Sequence, residues 1–147
     1  MQSKIVGFIG HRYIWKNIGI EHELNKTIVT LINQGYNVFY DGNKGFFDEL
    51  CAKTIFKLKN LFPEIKIYKI LTNYKHNNEP ASYFNKYDGL ILPDLDNIHP
   101  KQKIIKRNQW IISSCDVLVC HIQDTHRSGA YKSLVYAKKL NKHIIYI

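Results

Sequence analysis

The stretch KIVGFIGHR, Lys4 to Arg12, decides how the rest of the chain is read. An apolar run, Ile5 to Ile9, stops on Gly10 and hands over at once to His11 and Arg12. A short apolar run ended by glycine reads as a buried strand. A strand that ends in a glycine and two potentially cationic side chains reads as one wall of an anion site.

Working outward, the same kind of unit recurs. Residues 19–34 carry Ile20, Leu24, Ile28, Leu31 and Ile32 at helical spacing, with Gly35 as a stop. YNVFYDG (36–42) reads as a second strand. FDELCAKTIFKLKNLF (47–62) reads as a second helix, with Asp48 and Glu49 in its first turn and Pro63 as its end. IKIYKIL (65–71) is a third strand. Residues 72–86 show no period and read as a long loop, whose aromatics, through Tyr87, are expected to be exposed. DGLILP (88–93) reads as a short strand. HPKQKIIKRNQWIISS (99–114) is a helix with Pro100 in its first turn and Ile104, Ile105, Asn108, Ile111 and Ile112 on one face. DVLVCHI (116–122) is a buried strand, SGAYKSLVYAKKLN (128–141) a helix and HIIYI (143–147) a last strand. Strands alternating with helices at this spacing predict an α/β fold. The expected form is one domain over residues 1–147, an open, mostly parallel, Rossmann-like sheet with helices on both faces.

The chain has 147 residues, 45% of them hydrophobic and 22% charged, the balance of an ordinary globule. No run of 18 apolar residues is present, so no membrane helix is expected. The start MQSKIVGFIG lacks the pattern of a signal peptide, and a cytoplasmic setting is expected. Cys51, Cys115 and Cys120 lie in apolar contexts without a C-x-x-C pair and read as buried free thiols. The net charge is +9, but the cations are scattered and lysine-rich. Direct nucleic-acid binding is therefore not the expected role.

Among the basic residues only Arg12, Arg107 and Arg127 are arginines. A planar guanidinium grips phosphate or carboxylate at two points, which lysine cannot do. In an open parallel sheet ligands bind beyond the carboxyl ends of the strands. Arg12 follows the first strand, the glycine loop DGNKGFFD the second, and QDTHRSGA, with Arg127, the strand at 116–122. Both loops run a glycine into a helix start, where backbone N–H groups face an anion. Either alone is equally a plain turn; their convergence favours a ligand site. Neither G-x-x-x-x-G-K-[ST] nor G-x-G-x-x-G occurs, which excludes a P-loop and an ordinary dinucleotide fingerprint. His11 reads as a base or phosphate donor, or equally as a hydrogen-bonding or packing residue, and Asp48 as a ribose contact or a helix cap. Trp15 and Trp110 read as base-stacking or packing residues. Cys120 and His121 point to opposite faces of a strand, so no metal site is expected.

These segments together resemble the SLOG superfamily, the Rossmann-like group of the DprA/Smf and LOG proteins, and its YpsA-like branch in particular. The matching pieces, in order, are IGHR (Gly10, His11, Arg12), GNKGFFDELCA (Gly42, Asn43, Gly45, Phe47, Asp48), RNQW (Arg107, Asn108, Trp110), SCDVLVC (Ser114, Asp116) and RSGAYKS (Arg127, Ser128, Gly129, Ala130). VYAKKLNKHIIYI closes the match. Asn43 and Ser128 stand where the family pattern has glycine, and HRSGAYKSLVY lacks the acid of the LOG hydrolase loop. The resemblance implies a pocket for a nucleotide-derived ligand, such as ADP-ribose, an NAD-related molecule or a cyclic nucleotide signal. Arg12, Arg107 and Arg127 would hold phosphates, the loop amides around Gly10, Gly45 and Gly129 would complete the cradle, and Asp48 or Asn108 would meet a ribose. It further implies a sensor or a sequestering protein, such as a phage-encoded sponge, without turnover, cofactor or metal, in a homodimer or larger homo-oligomer. The alternatives are a LOG-type hydrolase using His11, Asp48 and His126, and a DprA-like single-strand DNA binder.

Overall fold

A computed structural model describes residues 4–11, 18–42, 45–73, 85–122 and 129–147. Six strands, β1 (Ile5–Gly10), β2 (Val38–Asp41), β3 (Lys66–Ile70), β4 (Gly89–Ile91), β5 (Val117–His121) and β6 (His143–Tyr146), form one sheet. Four helices accompany them among the described residues: α1 (Ile18–Asn33), α2 (Phe46–Leu58), α3 (Pro100–Ser114) and α4 (Gly129–Lys139). The strand order is β4-β3-β2-β1-β5-β6, and every neighbouring pair is parallel. The expected α/β architecture is thus the observed one, with no antiparallel strand in the sheet.

Period-two alternation sorts the core. Val6 and Phe8 of β1, Phe39 of β2, Ile67 of β3 and Val117 and Val119 of β5 pack with Leu24, Ile28, Phe47, Cys51 and Ile55 of α1 and α2. Ile9, Leu118, Ile112, Cys115 and Ala137 form a second cluster on the other face, under α3 and α4. Helices therefore cover both faces, as a buried parallel sheet requires.

Some local features differ from the expectation. Helix α2 ends at Leu58, short of Pro63, and Leu61 is exposed. The Lys59 amide closes it by donating to Ile55 O, and the chain turns before proline forces it to. Tyr87 is buried rather than exposed, because its hydroxyl donates to Asp41 Oδ2 (3.1 Å) and its ring meets Phe56. On α3 the buried residues are Arg107, Ile111 and Ile112, while Ile104 is exposed. Arg107 takes the place one turn before Ile111 because its head finds a backbone acceptor at the sheet edge. Asp116 anchors a strand start: its Oδ2 accepts from the Ile5 amide (2.8 Å).

Candidate functional site

The sheet's carboxyl edge has a break in winding between β1 and β5. The chain leaves β1 for α1 on one face and leaves β5 for α4 on the other. Adjacent strands whose connections diverge leave a crevice between them, the usual ligand position in open α/β sheets. Gly10 and His121 are register partners across this junction, and the His11 amide donates to His121 O (3.3 Å).

Glycine is required at Gly10 by a close approach. A Cβ there would lie 2.6 Å from the Cβ of Phe47 and nearer still to its ring. Phe47, fully buried in the first turn of α2, therefore rests on the end of β1. The Phe47 ring also meets His121, ring centroids 5.9 Å apart and nearly parallel at 23°. Gly45 is the N-cap of α2 at φ 107°, a left-handed value suited to glycine, and the N-cap residue itself offers no side-chain cap. The α2 N-terminus is thus held against the β1 end, with Asp48 buried in its first turn.

On the other face, Arg107 reaches over the end of β2. Its side chain is 1% exposed, and Nη1 donates to Gly42 O (2.9 Å). Nε and Nη2 donate to Asn108 Oδ1 (3.4 and 3.2 Å). A Cβ on Gly42 would lie 2.8 Å from the Arg107 Cζ, so the bare glycine is what admits the guanidinium. Arg107 and Asn108 thus stand on the α3 face, whereas Phe47 and Asp48 stand on the α2 face, with Gly42 between them. Trp110 stacks on Tyr40 at 5.5 Å, a packing contact. Gly129 and Ala130 open α4 at the same edge, with Gly129 exposed. Arg12, Trp15, Asn43, His126, Arg127 and Ser128 lie outside the described residues.

Sequence reasoning passed over a buried polar group beside Asp48. Asp41 and Lys69 are cross-strand register partners, both buried, and the Lys69 Nζ stands 5.9 Å from the Tyr87 ring centre. Burial pushes the Cys51 thiol up, and the charges of Asp41 and Asp48 push it further, which places both carboxylates beside α2's inner face. The signal was available: Lys69 is in phase with Ile65 and Ile67, and Asp41 with Phe39, at strand positions that face the core. His121, in phase with Val117 and Val119, was passed over for the same reason. Among the described residues no group of three His, Cys, Asp or Glu could hold a metal, and no helix is long and apolar enough to cross a membrane.

No family model matches the chain, and no curated protein does. Solved structures do. The structural-genomics target TM1055 superposes with a TM-score of 0.63 at 16% identity, over 96% of this chain and 72% of that one. The single-stranded-DNA-binding DNA processing protein A of Helicobacter pylori gives 0.68 at 18% identity, over 97% of this chain and 64% of its own length. The molybdenum cofactor carrier protein of Chlamydomonas reinhardtii gives 0.61 at 13% identity, over 99% of this chain and 76% of that one. At these identities the likeness speaks to architecture: the chain shares the Rossmann-like α/β fold of these three proteins.

Proposed function

We propose that the protein binds a nucleotide-derived small molecule at the carboxyl edge of its sheet, as a sensor or sequestering protein without turnover. ADP-ribose, NAD-related molecules and cyclic nucleotide signals are the ligand classes considered. The observation that carries this reading is the junction of β1 and β5, where a helix N-terminus with a glycine N-cap is held against a bare glycine. Such a terminus offers backbone N–H groups and a positive dipole end to a phosphate. Arg107 serves the pocket by fixing the Gly42 carbonyl and hence the loop after β2. In this reading direct phosphate contacts fall to Arg12 and Arg127, which follow β1 and β5 in the sequence. A homo-oligomer belongs to the same reading.

A thermal-shift panel of NAD, ADP-ribose, cyclic ADP-ribose isomers, AMP and cyclic dinucleotides tests it, followed by chromatography of the released ligand. A ligand at 100 times its Kd adds about 2.7 kcal/mol to stability, a readily measured shift. Recovery of intact ligand supports binding without turnover; recovery of product moves the assignment to a hydrolase. No shift with any nucleotide sinks the pocket reading.

The second reading, single-stranded DNA, draws on the net charge of +9 and on the likeness to a DNA-binding protein of this fold. It predicts affinity that falls steeply with salt and depends little on base identity.

A further inference from the structure

Among the described residues His121 stands apart. It ends β5, is 4% exposed, and sits in the α2-facing core row with Val117 and Val119. Its Nδ1 lies 2.8 Å from the backbone oxygen of Ile147. That oxygen can only accept, so Nδ1 carries the proton and donates. Nε2 is buried and has no hydrogen-bond partner among the described residues. Buried polar atoms are nearly always paired, so an orphan at a sheet's ligand edge points to a missing partner.

The ring's placement says where that partner comes from. Ile147 follows β6, and its amide donates to Cys120 O (2.9 Å), so the anchored edge of the ring faces β6. His121 is also the register partner of Gly10 on β1, at the junction where the winding diverges. Phe47 covers one face of the ring. The imidazole is thus held along one edge and on one face, and its Nε2 is left without a partner among the described residues at that junction.

We propose that His121 Nε2 accepts a hydrogen bond from a donor group of the nucleotide, a sugar hydroxyl or a base amine, and so acts as a specificity residue of the site. The assignment rests on the nucleotide-binding reading above. A lone pair repels phosphate oxygens, so the anion belongs at the α2 N-terminus and the donor-bearing part of the ligand at His121. The sequence alternation alone would have filed this histidine as core.

The test uses the full chain labelled with 15N-histidine and long-range 1H–15N correlation spectra. In the free protein His121 should show a protonated Nδ1 and a pyridine-type Nε2. Saturation with AMP or ADP-ribose should move Nε2 toward the hydrogen-bonded range and leave Nδ1 in place, while inorganic pyrophosphate should move neither. Loss of the response with 2′-deoxy-AMP would assign a hydroxyl; loss with inosine monophosphate would assign the amine. His121→Asn keeps an amide donor for Ile147 but nothing at Nε2, and should weaken nucleotide binding roughly tenfold in calorimetry, the scale of one lost hydrogen bond. A protonated Nε2 in the free protein, an Nε2 unmoved by a nucleotide that the wild type binds, or undiminished binding by H121N would each overturn the assignment. A wild type that binds no nucleotide would instead remove the functional reading, and the assignment with it.

Discussion

Gly10→Ala puts one methyl group where the structure has no room for it. The new carbon would stand 2.6 Å from the Phe47 Cβ, and nearer to its ring, against an ordinary carbon–carbon contact of about 3.5 Å. The overlap falls on a fully buried aromatic in a helix, not on a flexible tip that swings aside. Relief requires α2 to lift from β1 or Phe47 to leave its rotamer, and overpacking of this kind costs about 1–3 kcal/mol. Phe47→Ala alone should cost about 3–5 kcal/mol from the lost side chain. In the double variant the two ring contacts are gone and only the 2.6 Å approach to the residue-47 Cβ remains, so the Gly10 penalty should shrink. The double variant should then lose less than the sum of the two single losses, a coupling of about 1 kcal/mol or more in a double-mutant cycle. Urea unfolding of the four proteins measures this directly. Simple additivity of the two losses would refute the claim that Gly10 is bare in order to seat Phe47. Ligand response should fall in Gly10→Ala as well, because the α2 N-terminus moves with the ring.

Arg107→Ala should lower stability by about 2–4 kcal/mol in chemical unfolding, since it empties a buried volume and leaves Gly42 O without its donor. Arg107→Lys should recover only part of that loss, because one ammonium cannot serve Gly42 O and Asn108 Oδ1 as the fork does. Tyr87→Phe should cost about 1–2 kcal/mol by the same measurement, by taking the hydroxyl from Asp41 Oδ2. Burial pushes Cys115 and Cys120 from 9.0 up to about 11, and raises Cys51. A thiol held protonated in the fold stabilises it fully below pH 9.0, and that contribution is lost as pH climbs toward about 11. Urea midpoints should therefore hold steady from neutral pH to about 8.5 and fall through that window. The native protein should react with a thiol reagent only as fast as it unfolds; rapid labelling at neutral pH would contradict the buried placement.

The alternation of apolar runs with helical periods sufficed for the α/β class, the parallel sheet and the position of nearly every element. Those are local matters: Ile5–Ile9 or Val117–Cys120 is a buried strand whatever its neighbours are. The glycine loops could also be placed at the carboxyl edge, because a strand's direction fixes which of its ends each loop leaves. The helix end at Leu58, ahead of Pro63, and the burial of Tyr87 were not legible, since both depend on partners distant in sequence.

Tertiary structure alone decided how the edge residues divide. Arg107 and Asp48 are both polar candidates in the sequence, each within a predicted helix. In the fold the first lies on the α3 face, with Gly42 O as an acceptor, and the second on the α2 face beside Asp41. The same holds for His121, one more residue of a core-phased strand until the backbone after β6 takes its Nδ1 and leaves Nε2 without a partner among the described residues. Periodicity tells which residues leave water, because burial follows from one strand or helix at a time. What a buried polar atom meets is set by the neighbouring strands and helices, and only their assembly supplies it.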